Sequence, residues 1–162
     1  MRATVLYRER YLLLTPSDGE LATRVNVGWA EAAATPLCAL SPVMQNRRIL
    51  DGIVAAAGAT LSPVIETDTV AALYAHVATR RWSSIIAHAW LHAFGVPDGM
   101  RVIPLQPQPR TPQIGLVRAD RDPEPIVAST LLEAVRDVDL PTILDALLAR
   151  YVDRDPAAAP GC

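Results

Sequence analysis

Four consecutive apolar residues, Leu37-Cys38-Ala39-Leu40, stand between Pro36 and the pair Ser41-Pro42. A run this short and without polar alternation suits a strand covered on both faces, because a strand with one wet face alternates polar with apolar residues. Ser41 is a good helix cap and Pro42 a good first helical residue, and Ile49, Leu50, Ile53, Val54 and Ala57 then follow at helical spacing up to Gly58. The same unit recurs directly. Residues 63–66 read as a strand, Thr67 or Asp68 as a cap, and Val70, Leu73, Tyr74 and Val77 as the apolar stripe of a second helix. A strand over residues 83–86 and a short helix over 88–94, closed by Gly95, continue the series. Strands handing over to helices in this way predict an α/β fold.

The flanks fit the same class. Residues 4–14 read as one extended segment, with Val5, Tyr7, Tyr11 and Leu13 recurring ahead of the turn residues Pro16, Ser17, Asp18 and Gly19. A short helical patch covers residues 29–33, and residues 101–105 form one more strand before PLQPQPRTP, a run that fits neither helix nor central strand. Beyond it, residues 114–117 read as a strand and 125–138 as a helix with Val127, Leu131, Val135 and Val138 on one face. A last helix over 141–151 carries Ile143, Leu144, Leu147, Leu148 and Tyr151, and the tail DRDPAAAPGC has the composition of a disordered segment. No internal repeat is visible.

Composition narrows the partners. With 162 residues, 51% of them hydrophobic and 20% charged, the chain can bury the core of one domain. All of its cations are arginines, but they form no dense cluster, and the net charge of −2 offers no field for a polyanion. No direct contact with nucleic acid is expected. Cys38 and Cys162 give neither a zinc-ligand spacing nor a disulfide framework, which suits a reducing cytoplasm. Arg8, Glu9 and Arg10 interrupt the N-terminal apolar stretch where a signal peptide needs continuity, and no apolar run is long enough to span a bilayer. A membrane partner is therefore not expected.

Candidate chemistry falls at helix amino ends. There, unpaired N–H groups carry partial positive charge beside the carboxyl ends of parallel strands. Two such junctions are legible, Ser41-Pro42-Val43-Met44 and Glu66-Thr67-Asp68-Thr69, and both are expected to open on one edge of one sheet. Their hydroxyls suit a carboxylate or similar polar ligand. The plainer alternative is that Ser41 and Thr67 or Asp68 only cap their own helices, and Glu66 and Asp68 oppose an anion unless they turn away or hold a cation. His88 and His92 stand four apart, as in zinc proteases, but Ala89 occupies the place of the catalytic glutamate, so no metal is expected. Arg80, Arg81 and Trp82 read as a solvated turn between helix and strand, with a stacked cation–π cluster or an effector contact as the alternatives. Ser83 and Ser84 lack the glycines of a nucleophile elbow. No grouping of nucleophile, base and orienting residue emerges, so neither an enzyme nor a cofactor is expected.

The stretch PLCALSPVMQNRRILDGIVAAAGATLSPVIETDTVAALYAHVATRRWSSIIAHAWL, continued by RVIPLQPQPRTPQIGLVRADRDPEPIVASTLLEAV, resembles the effector-binding domain of LysR-type transcriptional regulators. The resemblance runs from about Val5 to Val138. It implies a Rossmann-like lobe of the type 2 periplasmic-binding-protein kind with a partial second lobe. On that template residues 1–14 are a crossing strand from a partial lobe I, and 15–105 are lobe II. Residues 106–138 are the return crossover and the C-terminal part of lobe I, and 139–162 are a C-terminal helix and disordered tail.

The effector contacts that the resemblance implies are Ser41, Met44, Gln45, Asn46, Thr67, Asp68 and Thr69, with hinges near Leu13-Leu14 and Pro109 to Gln113. The family's DNA-binding domain and the opening part of lobe I have no counterpart here, and its glycine-containing turn and following proline are replaced by Arg80-Arg81-Trp82 and Ala87. The implied function is effector sensing for transcription. The alternative is a truncated interaction protein that self-associates or pairs with an intact regulator, with no ligand of its own.

Overall fold

The computed structural model describes residues 1–108, 112–119 and 126–152. The N-terminal extended segment is two strands rather than one, β1 (Arg2–Arg8) and β2 (Tyr11–Pro16), and they belong to different sheets. The chain changes sheet at Glu9 and Arg10, where the backbone N–H of Glu9 bonds Pro112 and the carbonyl of Arg10 accepts from the N–H of His88. Leu13 and Leu14, expected at a hinge, lie instead in mid-strand, paired on both sides. Of the second hinge, residues 109–111 fall outside the described residues, as do Pro125 and the tail 153–162.

There follow β3 (Val27–Gly28), α1 (Trp29–Ala33), β4 (Cys38–Leu40), α2 (Gln45–Ala56), β5 (Ile65–Thr67), α3 (Val70–Val77) and β6 (Ser84–Ala87). Then come α4 (Trp90–Phe94), β7 (Met100–Gln106), β8 (Gln113–Arg118), α5 (Ile126–Arg136) and α6 (Leu140–Val152). The four-stranded sheet runs β3-β7-β2-β6, with β2 antiparallel to both neighbours and β3 parallel to β7. The parallel pair β4-β5 continues it through a parallel bridge between Leu37 and Ser83, where the N–H of Cys38 donates to the Ser83 carbonyl at 2.8 Å. Strands β1 and β8 form a separate antiparallel ribbon. Its register shifts between Val5 and Tyr7, opposite Gly115, where a Cβ on the glycine would meet the Thr4 carbonyl.

Burial explains the layers. Side chains alternate across a strand, so β2 sends Tyr11 and Leu13 to one face and Leu12 and Leu14 to the other. The first pair packs with Trp29, Ala32, Leu50 and Val54 of α1 and α2, and the second with Leu73, Val77 and Leu91 of α3 and α4. Leu147, Leu148 and Tyr151 of α6 pack against this second cluster. Each fully buried leucine contributes roughly 1.5–3 kcal/mol of transfer free energy, so two apolar layers depend on this one strand.

Several local expectations are corrected. Ser41 does not cap α2, which begins at Gln45 with Met44 at the cap position and no side-chain bond. Ser41 is held by β5 instead, its N–H donating to the Thr67 carbonyl at 2.8 Å, and Pro42 lies in a turn closed by the N–H of Met44 donating to the Ser41 carbonyl. Neither Thr67 nor Asp68 caps α3. Thr69 does, its hydroxyl accepting from the N–H of Ala72 at 3.1 Å. The strand expected over 63–66 falls at Ile65–Thr67. His88 precedes α4 rather than sharing a helix face with His92. On α5 the buried residue is Leu132, while Val127 and Leu131 of the expected apolar face are exposed.

The turn after α3 departs from the family's glycine, and Arg80 there holds a left-handed φ of 61°. A side chain in that region strains the backbone by about 1–2 kcal/mol, a cost glycine does not carry. Arg80→Gly is expected to raise unfolding free energy by roughly 0.5–1 kcal/mol, the remainder being offset by lost contact with Gly99 and greater freedom of the unfolded chain. Urea denaturation of the two proteins checks this, with an unchanged or lowered midpoint as the contrary result.

Candidate functional site

The carboxyl ends of β4 and β5 lie side by side, because Leu40 pairs in register with Thr67 and the next residue on each strand is Ser41 or Asp68. The Ser41 hydroxyl donates to the Asp68 carboxylate at 2.6 Å, so the two junctions inferred from sequence form one rim. Thr67 donates its hydroxyl to the Thr69 carbonyl at 3.2 Å, which shapes the turn leading into α3. Met44 is half-buried against the second core cluster. Gln45 is exposed and accepts from Arg48 at 2.8 Å, while Asn46 makes no side-chain hydrogen bond among the described residues.

Arg47 joins this rim together and was not anticipated from sequence. It is only 6% exposed. Its guanidinium donates to the Leu40 carbonyl at 3.0 Å, to Glu66 at 2.7 Å and to Asp51 at 2.8 Å, tying α2 to the ends of both strands. Burial disfavours its charge, but the two carboxylates outweigh that and raise its pKa. The Glu66 charge is thereby compensated. Among the described residues no cation pairs with Asp68, so there the rim offers the Asn46 amide, the N–H groups opening α2, and one carboxylate acceptor.

A second cluster at the same edge of the sheet surrounds the point where the chain changes sheets. His88, at the end of β6, is 2% exposed, and its Nδ1 accepts from the backbone N–H of Arg10 at 3.1 Å. Burial above all, then the nearby Arg10 charge, lowers its pKa to about 4. The ring is therefore neutral at physiological pH and carries its proton on Nε2. Tyr7 meets it edge-on at 5.7 Å between ring centroids, and Arg10 forms an ion pair with Asp145 of α6. A cavity of about 490 Å³ lies here, bounded by β1, His88 and the first turns of α6. None of this was read from sequence, since it joins residues from positions 5 to 145.

Arg81 stacks on Trp82 with 5.6 Å from its guanidinium carbon to the ring. Ser83 and Thr15 hydroxyls bond to each other at 2.9 Å, and Ser84 is fully buried. Cys38 is buried, and burial pushes its thiol up to about 11, away from nucleophilic reactivity. Among the described residues no group of three potential metal ligands comes together, and no helix is long and apolar enough to cross a membrane.

A mixed sheet with helices on both faces and a small ribbon reached by crossing strands is the architecture of regulatory domains built like type 2 periplasmic binding proteins. The chain belongs to the LysR substrate binding domain family, which matches residues 1–139. The fold is similar to the CcmR regulatory domain of Synechocystis PCC6803 solved in complex with 2-PG (TM-score 0.69, 11% identity, 86% of this chain and 67% of that chain). It is similar to the reduced form of OxyR (0.62, 25% identity, 84% and 63%) and to CbnR, a LysR family transcriptional regulator (0.67, 16%, 84% and 47%). The chain thus spans about two thirds or less of these proteins. No curated protein sequence matches it.

The buried neutral histidine has a measurable consequence. Its folded pKa, about 4, lies below the ordinary 6.5, so below pH 6.5 the unfolded state takes up a proton that the folded state refuses. This contribution is complete above pH 6.5, and it is lost as pH falls toward 4 by up to about 1.4 kcal/mol per pH unit. His88→Asn supplies a side-chain acceptor for the Arg10 N–H but does not titrate. Unfolding free energies measured across pH 4 to 7 are expected to flatten in that variant; parallel curves would refute the assignment.

Proposed function

We propose that this chain is the effector-sensing module of a cytoplasmic LysR-type regulator, holding a small molecule against the rim formed by Ser41, Met44, Gln45, Asn46, Thr67, Asp68 and Thr69. The observation that supports this best is the in-register pairing of Leu40 with Thr67, which brings both strand-to-helix junctions to one edge. In this reading residues 1–14 cross between lobes, 15–105 form lobe II, 106–138 return to lobe I, and 139–162 follow as the C-terminal helix and tail. The ligand presents a carboxylate to the open amino end of α2 and a hydrogen-bond donor to Asp68. That 2-PG is the ligand named for the CcmR domain is consistent with a small anionic effector. Binding transmits to transcription by favouring one arrangement of the lobes, which requires different affinities for the two arrangements. DNA contact belongs to a separate domain, in keeping with a net charge of −2 here.

Titrating a panel of small carboxylates while following Trp29, Trp82 and Trp90 fluorescence tests this. A saturable response is expected, and for a carboxylate that carries no hydrogen-bond donor Asp68→Asn, by removing the negative charge beside it, tightens binding roughly 5-fold. A ligand whose affinity ignores Asp68 binds elsewhere.

A second reading, an interaction module that self-associates or pairs with an intact regulator, draws on a specific surface. Val5 and Val117 on the ribbon and Ile126, Val127 and Leu131 on α5 are large apolar side chains left exposed. Sedimentation velocity over a range of concentrations is expected to show association that Val127→Lys with Leu131→Lys abolishes. A concentration-independent monomer removes this reading.

A further inference from the structure

We propose that a cavity at the opposite end of the sheet from the rim binds the zwitterion of a free amino acid with an apolar side chain. The cavity, of about 430 Å³, lies where β2 ends at Thr15 and Pro16, where Pro36 leads into β4, and where the turn of Arg81 leads into β6. The rim stands at the other end of β4, and no residue between 41 and 69 lines this cavity.

Part of its wall is polar and buried. Thr15 and Ser83 are 3% and 4% exposed, and their hydroxyls share one hydrogen bond at 2.9 Å. Two hydroxyls bring two protons and that bond uses one. Whichever oxygen accepts therefore keeps a proton with no partner among the described residues. A buried donor without an acceptor is costly, and a ligand oxygen relieves the cost. Gly19 keeps the approach open, since a Cβ there would stand 3.6 Å from the Thr15 hydroxyl oxygen and 3.1 Å from the Pro16 carbonyl.

The charges set the ligand class. Glu20, Glu31 and Arg81 are the ionised groups lining the cavity, and Glu31 already accepts from Arg24 at 2.7 Å. Glu20 and Arg81 make no ion pair among the described residues, either with each other or with a third group. Arg81 is steadied by its stacking on Trp82. A carboxylate alone would gain Arg81 but face Glu20, and an amine alone would gain Glu20 but face Arg81. A molecule with both charges on one carbon satisfies both. Its carboxylate takes Arg81 and the spare hydroxyl proton, and its ammonium takes Glu20. Pro16, Leu21, Ala34 and Pro36 supply apolar wall for the side chain. A ligand so held joins the loop after β2 to the turn ahead of β6.

Calorimetric titration of the whole chain with L-leucine, L-leucinamide and N-acetyl-L-leucine tests the proposal. Leucine is expected to bind, and each analogue, which keeps only one of the two charges, to bind about 10-fold more weakly or less. Glu20 and Arg81 are exposed side chains, so their substitution leaves the core intact. Glu20→Gln is expected to erase the preference for leucine over N-acetyl-L-leucine, and Arg81→Gln the preference over L-leucinamide, a crossed pattern that a general loosening of the fold does not produce. Asp68→Asn and Ser41→Ala leave leucine binding unchanged, which separates this site from the rim. Absence of leucine binding, an analogue that binds as well as leucine, preferences that survive both glutamine variants, or sensitivity to Asp68→Asn would each overturn it.

Discussion

Everything else in the fold leans on β2 being enclosed from both sides. A strand reading Tyr-Leu-Leu-Leu-Thr has no face to show to water, and it is stable only where helices cover it above and below. Its antiparallel pairing with β6 and β7 places it at the centre of the sheet, so the two hydrophobic layers are registered against each other through one backbone. The carboxyl ends of the parallel strands emerge at the end where β2 begins. That is why the rim and the sheet-changing residues Glu9 and Arg10 occupy the same edge.

The alternation of strand and helix was legible because burial on both faces erases polar alternation over residues 37–40, and because helical stripes such as Leu73, Tyr74 and Val77 depend only on local periodicity. What failed was anything decided by a distant partner. Ser41 has the chemistry of a cap, but its N–H is engaged by Thr67 at the end of β5 and its hydroxyl by Asp68 just beyond, 26 and 27 residues away, and the helix starts four residues later. Asp68 is the other half of that exchange, which leaves capping of α3 to Thr69. On α5 the periodic stripe was present, but Leu132 is the residue that packs. A stripe shows where an apolar face lies and leaves open what covers it.

The site residues show the same division. That two junctions share an edge follows from parallel pairing, a consequence of topology that sequence could carry. Arg47 could not be foreseen, since an arginine in the first turn of an amphipathic helix ordinarily lies in solvent. Here it bonds a strand-end carbonyl and two carboxylates, an arrangement that keeps a buried charge tolerable and removes Glu66 from the rim's electrostatics. Asp68 is left as the local negative feature. Around His88 the charged groups are Arg10, paired with Asp145, and Arg8, which makes no ion pair among the described residues.

Glu9 is joined to Pro112, just ahead of β8, and the next residue along, Arg10, clasps His88 in both directions. The outgoing and returning crossings are therefore stitched together at the same level as the point where they anchor to the sheet. Two independent strings would let the ribbon slide and twist freely; a stitched pair behaves as a leaf spring, compliant to flexing in one plane and stiff to shear.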